Sequence, residues 1–201
     1  MTLTAPKSES KRVLVPQGTH IARCINLIHV GTVAGEYMGQ AKIFNKMRLT
    51  FEFPEETHVF TEGEDAKPIV LSQEYTLSMA PKAKLRPLVE GMIGTSLNDD
   101  EATHFDHETL VGMPCLLSVI QRTSKKGTKY AVISSASPLM KGQVCKEAFN
   151  PYKILNYTDK FDEAYFNTLP DFIKSAMMTS KEYKALKGIE TDEIDPLDIP
   201  F

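Results

Sequence analysis

Residues 46–54 read KMRLTFEFP. Apolar Met47, Leu49, Phe51 and Phe53 alternate with Lys46, Arg48, Thr50 and Glu52. A period of two is the mark of a strand with one face in a core and the other, charged, in water. Pro54 ends the run, because proline brings no N–H to a ladder. Upstream, residues 20–30 (HIARCINLIHV) are rich in strand formers and close on Gly31 and Thr32, and residues 35–45 (GEYMGQAKIFN) read as a loop or hairpin tip. Downstream, residues 55–68 form an acidic loop punctuated by Gly63 and Pro68. Alternation then resumes over residues 69–79, with Tyr75, Leu77 and Met79 on one face. That parity assigns Tyr75, like Phe51 and Phe53, to the core.

The helical period enters at residues 81–94, PKAKLRPLVEGMIG, where Leu85, Leu88, Val89 and Met92 share a face. Pro81 suits a first helical turn, and Pro87 keeps the helix short. Residues 113–122 are a strong strand, SKKG at 124–127 is a basic turn, and residues 130–137 return as the hairpin partner. Three strands, a helix and two strands predict a mainly β chain: a five-stranded OB-fold Greek-key barrel with its helix between strands 3 and 4. Beyond Pro138 periodicity fades until LPDFIKSAMMTSKEYKAL (169–186), a predicted helix with Phe172, Ile173, Ala176 and Met177 as its apolar stripe. The expected organisation is a flexible start (1–12), the barrel domain (13–145), an extension with a helix (146–188) and a disordered acidic tail (189–201).

Composition sets outer bounds. The 201 residues are 42% hydrophobic and 24% charged, as in ordinary globular proteins. No apolar run approaches the ~20 residues that span a bilayer, so no membrane association is expected. The start, MTLTAPKSESKR, lacks the apolar core of a secretory signal. Three scattered cysteines form no CxxC pair and predict neither a disulfide framework nor a zinc knuckle. A reducing, cytoplasmic setting follows. The net charge of −3 argues against nucleic acid until its distribution is read. Glu190, Asp192, Glu193, Asp195 and Asp198 crowd the last residues, and without those five acids the charge is +2. Lys11, Arg12, Arg23, Lys42, Lys46 and Arg48 face only Glu36 and Glu52 at the front, so the chain is polarised.

OB-folds bind single strands across strands 2 and 3, between the loops joining strands 1–2 and 4–5. Such binding needs cations along the phosphates and flat faces for unstacked bases. The first loop supplies Tyr37, Lys42, Phe44 and Lys46, and the second supplies Arg122, Lys125, Lys126, Lys129 and Tyr130. Arg48 lies between them on the outer face, and Arg23 belongs to the same basic front. The bland reading of the Lys-Lys-Gly turn is a solvated hairpin tip.

Chemistry finds little support. HFDH (104–107) sets His104 and His107 around Asp106, a metal pair if helical, but no third ligand has helpful spacing. The Gly35 to Lys42 stretch lacks the GK[ST] of a phosphate loop, and no GxSxG is present. Cys24 and Cys115 fall inside strand patterns, where a buried thiol is the default. The expectation is no catalysis, no metal and no cofactor, with a metal-dependent nuclease using His104, Asp106 and His107 as one alternative.

The last ten residues, DEIDPLDIPF, resemble the acidic tip of bacterial single-stranded DNA-binding proteins, which close on several acids and Ile-Pro-Phe. Pro196 and Leu197 make this tip less densely charged than the usual one. HIARCINLIHVGT, KMRLTFEFP, QEYTLSMAPKAKLRPLVEGMIG, GMPCLLSVI and LPDFIKSAMMTSKEYKAL resemble instead a bacteriophage-encoded family of single-stranded DNA-binding proteins. The resemblance implies an OB-fold, no enzymatic activity, work in the cytoplasm of a bacterial host, and recruitment of replication, recombination or repair proteins through the tip.

Physically, Phe201 in a partner's pocket contributes about 1.5–3 kcal/mol. An α-carboxylate can take a bidentate bond from arginine, and Pro200 limits the conformational freedom given up on docking. Asp192, Glu193, Asp195 and Asp198 would steer Ile199, Pro200 and Phe201 toward basic surfaces. The same acids would be attracted to the protein's own basic groove, an autoinhibitory rest position. A second alternative is an OB-type adaptor that uses the tip for protein contacts and binds nucleic acid weakly. The helix near residues 170–187 fits either its own barrel or a second subunit, so a homodimer is a possible assembly.

Overall fold

A computed structural model describes residues 13–37, 39–157 and 161–189. The chain is mainly β. Its strands are β1 (Gly18–Tyr37), β2 (Gln40–His58), β3 (Lys67–Thr76), β4 (Pro114–Thr123), β5 (Lys129–Ser137) and β6 (Lys153–Leu155). They form one six-stranded open sheet in the order β3-β2-β1-β4-β5, antiparallel along that path, with β6 parallel to β1. Helices α1 (Leu85–Ile93) and α2 (Asp99–Thr103) and a 3-10 turn (His107–Leu110) lie between β3 and β4. Helices α3 (Glu163–Thr168), α4 (Asp171–Thr179) and α5 (Lys181–Leu186) follow β6. This arrangement is compatible with a barrel-like fold, and β6 is a strand that the five-strand reading lacked.

β1 organises the molecule. Its first part pairs with β4, from Gly18 opposite Val119 to Arg23 opposite Pro114. From Arg23 onward it pairs with β2, out to Tyr37 opposite Gln40. Residues 35–45, expected as a loop or hairpin tip, are therefore mostly strand. The ladder reaches Tyr37 opposite Gln40, and Gly39 between them takes φ 77°. Strand β1 likewise runs on through Gly31, its ladder shifted by an irregularity between His29 and Gly31. β2 passes Pro54 and reaches His58, because the register shift between Phe53 and Thr57 leaves the proline outside the ladder.

The main core holds Met47, Leu49, Phe51, Phe53 and Tyr75, joined by Leu85, Leu88, Val89 and Met92 of α1. The alternation and the helical stripe are thus realised as read. α1 starts at Leu85 rather than near Pro81, and Pro87 falls in its first turn, where a backbone N–H has no intrahelical partner to lose. Cys24, Cys115 and Cys145 are free and buried. Burial pushes the Cys24 thiol up to about 12, far from the thiolate that nucleophilic chemistry needs.

A second core explains why HIARCINLIHV is apolar on both parities. Ile28, Val30 and Val33 of β1 are buried against Leu155, Phe166, Leu169, Ile173, Met177 and Tyr183. The C-terminal helices therefore pack on their own sheet. The single helix expected over 169–186 is two: Ser180 turns extended (ψ 152°) and its hydroxyl accepts from Tyr183 N, capping α5. Gly31, at φ 97°, lets this junction approach, since a Cβ there would lie 2.7 Å from both the Ser180 side chain and the Glu182 carboxylate. Glu182 accepts from Thr32 N and Thr32 Oγ1, each at 2.6 Å. Burial pushes its carboxyl up, but these hydrogen bonds outweigh burial and hold it below the ordinary glutamate value.

Glu52 corrects the expected charged outer face. It is fully buried and accepts from Phe149 N (2.8 Å), Asn150 N (2.9 Å) and Asn150 Nδ2 (2.6 Å). The segment after β5 crosses the outside of β2 here, so a position that alternation exposes is covered by chain from far along the sequence.

Candidate nucleic-acid interface

From Thr50 back to Phe44 the outer face of β2 is half-buried. Phe44, Lys46, Arg48 and Thr50 share the side opposite the Met47–Phe53 core set, by the same alternation. On β3, Glu74 stands across from Arg48, and Ser72 across from Thr50. Lys46 Nζ reaches Glu74 Oε1 at 3.0 Å, and the Thr50 and Ser72 hydroxyls meet at 2.9 Å. This strip ends where the C-terminal extension begins: Asn150, Tyr165 and Thr168 gather with Thr50 around a separate cleft.

The two edges of the sheet, β3 and β5, approach each other beside the strip. Gln73 spans them, accepting from Ile133 N at 2.9 Å and donating to Ile133 O at 3.4 Å. Over this seam runs a furrow of three adjoining clefts. The middle one, of about 800 Å³, is lined by Phe44, Glu74, Lys82, Lys84 and Tyr130 among others. At one end, about 460 Å³ lies between Arg48, Val70, Ser72 and Tyr130. At the other, about 360 Å³ lies between Lys84, Pro87, Ile120 and Arg122. Tyr130 and Ser72 line the first pair of clefts, and Lys84 and Gln73 the second pair, so that neighbouring clefts share walls.

Its aromatic walls come from both ends of the sequence reading. Phe44 rests on Gly35, where a Cβ would stand 3.0 Å from its ring, so the missing side chain makes room for the ring. Tyr130, at the start of β5, is 39% exposed. The furrow thus sets Phe44 and Tyr130, from β2 and β5, beside Arg48, Lys82, Lys84 and Arg122. Such a channel offers π-faces and cations along one path, the combination that an unpaired strand requires.

Other expected site residues sit elsewhere. The Arg23 guanidinium is turned to the protein's own carbonyls, those of Gly112, Cys145 and Lys146. It ties the post-β5 segment to β1, a task that alternation cannot signal. Lys125 and Lys126 are exposed at the tip of the β4–β5 turn and Lys129 at the start of β5, outside the three clefts. Lys42 is exposed on β2 opposite Gly35. Tyr37 pairs through its backbone with Gln40, and its side chain lies outside the described residues. Lys82 and Lys84 were not singled out by sequence, although the PKAK run carried the signal; their place on the furrow depends on how the β3–α1 connection folds.

The HFDH segment does not form the helical pair that a metal would need. α2 ends at Thr103, His104 points back to Asp100 O (2.9 Å), and Asp106 caps the 3-10 turn through Glu108 N. His107 packs edge-on against Phe105, and burial pushes its imidazole below the ordinary value. Among the described residues no group of three or more His, Cys, Asp or Glu is placed to hold a metal ion. No described helix is long and apolar enough to cross a membrane. The tail residues Asp192, Glu193, Asp195, Asp198, Ile199, Pro200 and Phe201 lie outside the described residues. No protein-family model matches the chain, and no curated protein matches it.

Proposed function

We propose that the protein is a non-catalytic single-stranded DNA-binding protein whose β domain is an OB-fold, and that the furrow over the β3–β5 seam holds the strand. The observation that carries this reading is the shared path of Phe44, Tyr130, Arg48, Lys84 and Arg122 along adjoining clefts. Support for the fold comes from the strand order, with β1 between β2 and β4, α1 inserted before β4, and β3 and β5 bridged by Gln73. Phosphates would follow the cations, and bases would stack on the two rings. In this reading the acidic segment 192–201 recruits replication, recombination or repair proteins. Many copies along one strand would turn individually weak contacts into a platform.

The test is a titration of labelled oligothymidine against a duplex of equal length, across salt. Saturable binding of the single strand, with an affinity that falls at a slope of ~0.7 per neutralised phosphate, supports the reading. Absence of binding in dilute buffer rejects it and favours the adaptor alternative. Removal of residues 192–201 should abolish partner capture and tighten DNA binding at low salt; unchanged DNA affinity would reject the autoinhibitory rest position.

A further inference from the structure

Phe172 is the second residue of α4. Its neighbour Ile173 is buried in the second core, yet Phe172 is 62% exposed. The apolar stripe read from sequence therefore loses its first member, which turns away from the core. What it meets instead is Arg48, whose guanidinium carbon lies over the ring, 5.6 Å from its centroid. Arg48 lines the end cleft of the furrow with Val70, Ser72 and Tyr130. The extension thus sets an aromatic ring against Arg48, one of the residues that line that cleft, on a helix anchored by Ile173 and Met177. Burial does not account for this phenylalanine, since most of its surface is open to water. The adjacent acid, Asp171, is paired with Lys174 at 2.9 Å.

We propose that Phe172 is a third base-stacking platform, at the Arg48 end of the furrow. An unpaired base lies on the open part of the ring while Arg48 meets the adjoining phosphate. A guanidinium over an aromatic face is held by the ring quadrupole, which also orients it for that contact. The site rests on the reading that the furrow binds single-stranded DNA, and it extends the strand path from the sheet onto the C-terminal helices.

Titration of labelled oligothymidine against Phe172→Ala, Phe172→Tyr, Arg48→Ala, Phe44→Ala and Tyr130→Ala tests it. Phe172→Ala should weaken binding about 5- to 150-fold, the stacking of one base. Its salt slope should stay that of the wild type, because every phosphate keeps its cation, whereas Arg48→Ala should flatten the slope. Phe172→Tyr should restore affinity. If Phe44→Ala and Tyr130→Ala weaken binding while Phe172→Ala does not, the platform is rejected and the furrow stands. A loss in Phe172→Ala that tyrosine does not recover also rejects stacking. If the wild-type protein ignores the oligonucleotide, the underlying reading fails and the platform with it.

Discussion

Gln73 and Ile133 face each other across the gap between the two ends of the β3-β2-β1-β4-β5 path, and the glutamine side chain serves both backbone groups of the isoleucine. A side chain here does the work of a strand ladder. Gln73→Ala would leave the Ile133 N–H without its acceptor, at a cost of about 1–3 kcal/mol. Thermal or urea unfolding should show that loss, and oligothymidine affinity should fall too, because the floor of the furrow parts. Unchanged stability would mean that the two edges are held by packing alone.

Phe44 and Tyr130 are expected to stack bases. Alanine at either should cost about 1–3 kcal/mol of single-strand affinity with little change in unfolding midpoint. Lys82→Ala or Lys84→Ala should instead reduce the salt slope by ~0.7 for each phosphate left without its cation. A uniform effect of all four substitutions on stability would point to packing rather than binding.

Glu74 is the acid in the cationic furrow, and it pairs with Lys46 at 3.0 Å. Its partial exposure keeps the pair weak in stability terms. If the furrow holds DNA as proposed, Glu74→Gln removes a charge like that of the phosphates and releases Lys46 to meet one. Affinity should rise several-fold in dilute salt and converge on the wild type in concentrated salt, as screening erases the difference. Anisotropy titrations at two ionic strengths decide it; weaker binding by the variant would mean that Glu74 orients Lys46 productively.

The pairing of Glu182 with Thr32 predicts a pH response in the extension. The folded carboxyl lies below the ordinary glutamate value of 4.5. Its stabilising contribution is therefore complete above that ordinary value and is lost as pH falls through the depressed folded one. The Thr32 amide resonance should titrate in that acid range, together with those of neighbouring β1 and α5 residues. In Glu182→Gln the same resonances should be flat over that range. Movement in the variant equal to that in the wild type would assign the transition to another group.

Much of the main core was legible because its signals are local. Met47, Leu49, Phe51 and Phe53 announce a buried strand face, and Leu85, Leu88, Val89 and Met92 a helix, without help from distant residues. The surroundings of Glu52, Arg23 and Phe172 were not legible for one shared reason: each is decided by chain that lies far away in sequence. Residues 145–150 cover Glu52 and take up Arg23, while the pull of Ile173 and Met177 into the second core leaves Phe172 outside. Apolar residues on both parities of 20–30 were the available hint that this strand is covered twice. In the furrow, Phe44, Arg48 and Tyr130 came from strand and turn logic. Lys82 and Lys84 needed the path of the β3–α1 connection.

The doubly covered β1 also bears on how the protein is made. Thr19 bonds to Ser118, 99 positions onward, and Thr32 to Glu182, 150 positions onward. A ribosome would deliver the central strand early and its flanking layers much later. Both greasy sides of that segment must wait for their covers, and contacts this non-local close slowly. Newly synthesised chains should thus be vulnerable to clumping until the last helices emerge, and expression at lower temperature or with a holdase chaperone should improve the yield.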